Sequence, residues 1–194
     1  MILYLHGFRS SPRSFKARLI AERLQARGRC AEYHCPQLPA SPRDAIALVS
    51  RIMSRFSPND VALIGSSLGG YYATWLAEKS GCRAVLLNPA VKPPRDLEKY
   101  VGVTTAYHSD QPFEFKREYV DELKTLAVSR ITHPERYFLI AATGDEVLDW
   151  HEMVGHYPGA RHHVIEGSDH GLSDFNGYMD EVLAFCGSEE GVDR

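Results

Sequence analysis

Six short apolar runs recur along the chain: ILYL (2–5), CAEYHC (30–35), VALIG (61–65), AVLLN (84–88), YFLIAA (137–142) and HHVIE (162–166). Most are continuously apolar rather than alternating, the pattern of strands covered on both faces. The second and last are more polar, as sheet edges would be. Between them lie amphipathic stretches of helical length. PRSFKARLIAERLQARG repeats apolar residues at Phe15, Leu19, Ile20 and Leu24 and ends at Gly28. SPRDAIALVSRIMSRF opens with Ser41 as an N-cap and Pro42 at the first helical position. LGGYYATWLAEKSG stops at Gly81, and LSDFNGYMDEVLAFCG supplies a last helix. Strand and helix in strict alternation imply parallel strands joined by right-handed crossovers. The expected fold is α/β: a three-layer, mostly parallel sheet of about six strands with helices on both faces.

Residues 92–135 break the rhythm. They should form one crossover but are far longer than a crossover needs, and long insertions in compact domains often serve as lids or binding loops. The segment reads as a short cap over the strand ends, with a helix near 115–128, inside a single domain spanning 1–194. A decorated crossover without function is the other reading. The tail GSEEGVDR is polar and expected to fray.

Composition narrows the partners. A net charge of −3 predicts no broad basic face and argues against nucleic acid, which needs clustered Lys and Arg. No apolar run approaches the ~20 residues of a membrane span. The opening MILYLHGF already reads as a buried strand and leaves no room for a leader, so a cytoplasmic protein is expected. Cys30, Cys35, Cys82 and Cys186 show no CxxC spacing and read as reduced structural thiols. Among the histidines, His162-His163 and His151/His156 are the best metal candidates, but neither has the His-Glu spacing of a zinc protease, and no metal site is expected.

The stretch VALIGSSLGGYYATWL (61–76) carries the chemistry. In an open α/β sheet ligands bind at the carboxyl ends of the strands, and the turn 65–70 lies at such an end. A nucleophile elbow needs small residues two before and two after its serine, because the backbone turns sharply there. Centred on Ser67 those flanks are Gly65 and Gly69. Centred on Ser66 they are Ile64 and Leu68, which are too bulky. Ser67 is the candidate nucleophile, Ser66 fills the variable position, and Gly70 lets the next helix pack close. A phosphate loop would need Gly-Lys-Ser/Thr, and no lysine sits here. A dinucleotide site would need GxGxxG and an acid after the next strand, which ends instead at Asn88.

A serine hydroxyl needs a base to take its proton. The strand YFLIAA runs into TGDEVLDW, where Asp145 lies just past the strand end and is the candidate acid. Asp149, placed where the next helix should begin, is the runner-up. The position after the strand following the elbow is Asn88-Pro89, which cannot ionise. The last strand runs into GSDHGLSDF, where His170 is the expected base. An oxyanion hole needs two backbone N–H groups. Leu68 supplies one, and Phe8, in the loop LHGFRS after the first strand, the other. His6 is read as a loop-bracing histidine rather than a catalytic one.

With these residues in place, the sequence resembles the small YqiA-type bacterial esterases of the α/β-hydrolase superfamily. The shared stretches are LYLHGFRSSPRSFKA, PQLP, GSSLGGYYATWLAE, NPAVKP, TGDEVLDW and VIEGSDHGLSDF, from the first strand to the final helix. The resemblance implies the α/β-hydrolase fold, hydrolysis of acyl esters and acyl thioesters, and no cofactor, with Ser67 as nucleophile, Asp145 as acid and His170 as base. Many relatives read closer to GGNHAF where this chain has GSDHGL, so Asp169 stands beside the base and is expected to raise its pKa electrostatically. The cap matches less clearly, so substrate preference does not transfer.

The expected function is therefore a serine hydrolase, an esterase or thioesterase cleaving small-molecule acyl esters or thioesters such as acyl-CoA through an acyl-enzyme. A non-catalytic binding or regulatory protein on the same fold is the alternative, and amide cleavage or perhydrolysis on the same serine stays open. Arg9, beside the oxyanion loop, is a candidate contact for an anionic substrate, against a solvated surface arginine. Tyr71, just after the elbow, is a candidate for the acyl pocket, against a core role.

Overall fold

The computed structural model describes residues 1–105 and 112–187. One sheet organises them: β1 (Ile2–Leu5), β2 (Tyr33–His34), β3 (Ala62–Ser66), β4 (Arg83–Leu87), β7 (Tyr137–Ala142) and β8 (Arg161–Ile165). Their order is β2-β1-β3-β4-β7-β8, and every pairing is parallel. The four inner strands are buried at nearly every residue, which is why their sequences do not alternate.

The pleat sorts these apolar runs onto two faces. Leu3, Leu5, Leu63, Leu86 and Leu139 point to one, covered by α2 (Pro42–Met53), α3 (Leu68–Ser80), α5 (Arg117–Thr125) and α6 (Trp150–His156). Ile2, Tyr4, Ile64, Val85 and Phe138 point to the other, covered by α1 (Phe15–Ala26) and α7 (Met179–Phe185). The expected three layers are present. The Ser41 hydroxyl accepts from the Asp44 amide, and Gly81 closes α3 at φ +82°.

Three expectations need revising. CAEYHC supplies only two strand residues, because Cys30–Glu32 wind into a 3₁₀ turn and β2, at the sheet edge, has only β1 to hold it. The last helix breaks in two: a 3₁₀ turn at Phe175–Gly177 precedes α7, which starts at Met179 just after the poor helix former Gly177. On α1 the buried stripe is Ala17, Ile20, Leu24 and also Lys16, while Phe15 is 46% exposed.

The insertion is built. It contains α4 (Pro93–Leu97), an antiparallel hairpin of β5 (Gly102–Thr105) and β6 (Pro112–Phe115), and α5, which falls inside the expected 115–128. The part of the insertion at 106–111 and the tail at 188–194 lie outside the described residues. Phe8 fastens the insertion to the loop after β1 through edge-on contacts with Phe113 and Phe115, ring centres 5.2 and 5.1 Å away. At its other end Arg95 forks onto Glu152 of α6 at 2.9 and 2.9 Å, and Lys92 adds a third bond at 2.8 Å. The bonds from Arg95, then those from Lys92, hold the Glu152 carboxyl down to about 2. A carboxyl lowered in the folded state adds stability above its unfolded pKa and loses it as pH falls. Glu152→Gln is thus expected to cost no more than about 1 kcal/mol at pH 7 by urea melting, because the pair is partly exposed. That difference should close as pH drops from 4.5 toward 2.

Among the described residues, no helix is long and apolar enough to cross a membrane, and no cluster of three or more His, Cys, Asp or Glu has metal-ligand spacing. The four cysteines are unpaired thiols.

Candidate active site

The register of the sheet brings the catalytic candidates together. Leu5 pairs with Gly65, so the loop after β1 lies beside the turn after β3. Ala142 pairs with Ile165, so the loops after β7 and β8 leave the sheet side by side. All four loops open at the carboxyl edge.

Ser67 sits between β3 and α3 at φ 53°, ψ −120°, a backbone conformation that few non-glycine residues adopt. The flanking glycines are required by contact. A Cβ on Gly65 would overlap the backbone of Gly69 and Gly70, one on Gly69 would overlap the Leu5 carbonyl, and one on Gly70 would press on Pro89. Gly69→Ala must push the elbow away from β1. It should lower stability by about 2–3 kcal/mol, the upper range for overpacking, and a urea melt measures it.

His170 Nε2 lies 3.1 Å from Ser67 Oγ, and His170 Nδ1 lies 2.7 Å from Asp145 Oδ2. The Asp145 side chain has no solvent exposure. Its second oxygen, Oδ1, accepts from the Val147 and Leu148 amides, each at 2.8 Å. The ionised carboxylate, acceptor only, leaves Nδ1 as the proton-bearing nitrogen and Nε2 free to accept from the serine hydroxyl. Glu146 adds a hydrogen bond from the His170 amide at 2.9 Å. Asp149 is elsewhere: it caps α6 through the His151 amide. Asp169 accepts from the Ser173 amide at 2.9 Å.

Phe8 and Leu68 both line the cavity at Ser67, and neither residue's amide is spent on a backbone carbonyl among the described residues. Leu68 opens α3, where the first amides lack intrahelical partners. Gly7 lets the loop approach: a Cβ there would lie 3.2 Å from Ser67 Cβ. His6 braces this loop from behind. It is 4% exposed, its Nε2 accepts from the Leu38 amide at 3.0 Å, and its Nδ1 donates to the Gly7 carbonyl at 3.0 Å. Burial lowers its pKa, in keeping with a neutral ring.

The cavity at Ser67 has a volume of about 430 Å³, with walls from α1, the elbow, α4 and the loops after β7 and β8. Phe15, Leu97, Tyr100 and Val147 make much of it apolar. Neither substrate-contact candidate lines it. The Arg9 guanidinium donates to the Thr105 carbonyl at 2.5 Å and so ties the loop after β1 to β5. Tyr71 is 5% exposed, its hydroxyl donates to the Leu123 carbonyl at 2.8 Å, and burial pushes its pKa up to about 12. Both are bound up in the framework. Phe15, which the sequence reading placed on the buried face of α1, lines the cavity instead.

The profile of UPF0227, an uncharacterised protein family, matches residues 1–187. The chain belongs to this family, the YqiA-type group. A UPF0227 protein of Shewanella sediminis (strain HAW-EB3) is 30% identical over 98 residues, which is 50% of this chain and 55% of the relative's length. Among solved structures, a protein from Agrobacterium vitis S4 superposes with a TM-score of 0.75 at 19% identity, covering 95% of this chain and 87% of that one. Alpha/beta hydrolase domain-containing protein 10 from mouse gives 0.71 at 15% identity, with coverage of 94% and 89%. Est1E from Butyrivibrio proteoclasticus, solved with ferulic acid bound, gives 0.69 at 14% identity, with coverage of 97% and 89%. The fold is that of the α/β hydrolases.

Sequence reasoning passed over two residues at this site. Lys16 carried a usable signal, since it lies four and eight residues before Ile20 and Leu24 on the buried stripe of α1. Asn88 was weighed only as a group that cannot ionise, yet it is fully buried against the loop that carries His170.

Proposed function

We propose that the protein is a serine hydrolase, an esterase or thioesterase acting on small-molecule acyl esters or acyl thioesters such as acyl-CoA. The observation that carries this reading is the unbroken chain Ser67 Oγ, His170 Nε2, His170 Nδ1, Asp145 Oδ2, with steps of 3.1 and 2.7 Å beside a partly apolar cavity. His170 takes the proton of Ser67 as the hydroxyl attacks the acyl carbonyl. The oxyanion is held by the Phe8 and Leu68 amides. His170 then protonates the leaving alcohol or thiol, and water, activated by the same imidazole, releases the acid from the acyl-enzyme. Asp145 fixes the tautomer and stabilises the imidazolium. No step calls for a cofactor. In this reading the chain is one α/β-hydrolase domain of the cytoplasm, and the insertion is a cap that shapes the acyl end of the cavity through α4.

A fluorophosphonate probe tests it. Covalent labelling that peptide mapping places on Ser67, together with turnover of p-nitrophenyl butyrate, is the expected result. An unlabelled, folded protein that turns over no acyl ester would overturn it in favour of a binding protein on the same fold.

A further inference from the structure

The loop that presents His170 follows an irregular path. Ser168 and Leu172 have φ of 58° and 52°, and Gly167 lies at 72°. Its carbonyls need partners: the Leu172 amide donates to that of Asp169 at 3.0 Å from within the loop, and further partners come from elsewhere. Here two buried side chains supply them. The Asn88 amide nitrogen donates to the carbonyls of Asp169 at 3.0 Å and His170 at 3.2 Å. The Lys16 ammonium, from α1, donates to the next carbonyl, that of Gly171. Asn88 also reaches the acid side: its Oδ1 accepts from the Ala142 amide at 2.9 Å, at the end of the strand that leads to Asp145.

Both residues are poor choices for stability alone. Asn88 has no exposure and holds φ at 41°, and a buried amide costs free energy unless every bond is made. Lys16 is 8% exposed. Burial drives its amine down to about 8, against the pull of the Asp169 and then the Asp145 carboxylate. Residues that break local rules in this way concentrate at functional sites.

We propose that Asn88 and Lys16 are positioning residues that hold three successive carbonyls of the base loop and thereby aim His170 Nε2 at Ser67. The proposal rests on the reading of Ser67 and His170 as nucleophile and base. A displacement of about 1 Å at such a distance costs on the order of 100-fold in rate.

The test uses Lys16→Met, which keeps most of the stem and removes the donor, and Asn88→Asp, which keeps the acceptor for Ala142 and removes both donors. On p-nitrophenyl butyrate, kcat should fall by about 10-fold to 100-fold in each, with KM unchanged. The losses should combine less than multiplicatively, because both residues act on one loop. Proton NMR supplies a readout independent of turnover. The low-field His170 Nδ1–H resonance of the parent should shift or broaden in both variants. Lys16→Met serves as the folded reference if Asn88→Asp does not fold, since it removes a charge that burial disfavours. A folded Lys16→Met with the parent's kcat, or with the resonance unmoved, would overturn the proposal. A rise in KM with kcat held would do the same, by making Lys16 a substrate contact. If the parent shows the resonance but neither hydrolyses esters nor reacts with fluorophosphonate, the esterase reading fails while the resonance still decides the clamp.

Discussion

Ser67→Ala is expected to lower kcat for p-nitrophenyl butyrate by about 10⁶-fold, the scale on which loss of the serine disables a serine hydrolase. The geometry says why so little should remain. The His170 imidazole is aimed at Ser67 Oγ from 3.1 Å, and among the described residues no second hydroxyl bonds to it. Residual rate can come only from the oxyanion donors and from binding. Ser66 is the informative neighbour. It ends β3 with 8% exposure, and the hydroxyl that His170 Nε2 meets is that of Ser67. Ser66→Ala should therefore keep turnover within a few-fold of the parent, within the ~1 kcal/mol a neutral hydrogen bond contributes. If instead Ser67→Ala retained a tenth of the activity and Ser66→Ala lost it, the elbow would be centred on the wrong serine.

That choice was legible because glycine positions at the elbow are dictated by backbone contact, and backbone contact depends on spacing alone. The same holds for the sheet: continuous apolar runs such as VALIG and YFLIAA fill β3 and β7 because both faces are covered. Edges were less legible. A strand with one partner is set by whether its neighbour reaches it, and β2 stops after two residues although CAEYHC reads as six. The roles of Arg9 and Tyr71 were illegible for a related reason. Each lies within four positions of a candidate site residue, but its side chain is captured by the insertion, by Thr105 and Leu123 respectively. Long-range capture leaves no trace in local spacing. Asn88 and Lys16 show the converse, since only the folded chain brings residues 81 and 155 positions away in sequence against their side chains.

Asp145→Asn is expected to cost about 10⁴-fold in kcat with little change in KM, through the tautomer of His170. The Val147 and Leu148 amides both point at Asp145 Oδ1 from 2.8 Å, so an asparagine must put its carbonyl oxygen there. The reverse orientation would set an NH₂ group against two N–H donors. The amide nitrogen then takes the place of Oδ2 and faces His170 Nδ1 at 2.7 Å. A donor in that position makes Nδ1 the acceptor and moves the ring proton to Nε2, against the hydroxyl it should deprotonate. Asp149→Asn is the control that separates the two acids. Asp149 caps α6 from an exposed position, and Asn caps as well as Asp, so both stability and turnover should match the parent. The opposite result, with Asp149→Asn inactive and Asp145→Asn active, would move the acid to the helix cap. A swung loop would then be needed to bring that cap to His170, because in the structure the Asp149 carboxylate is bonded to His151.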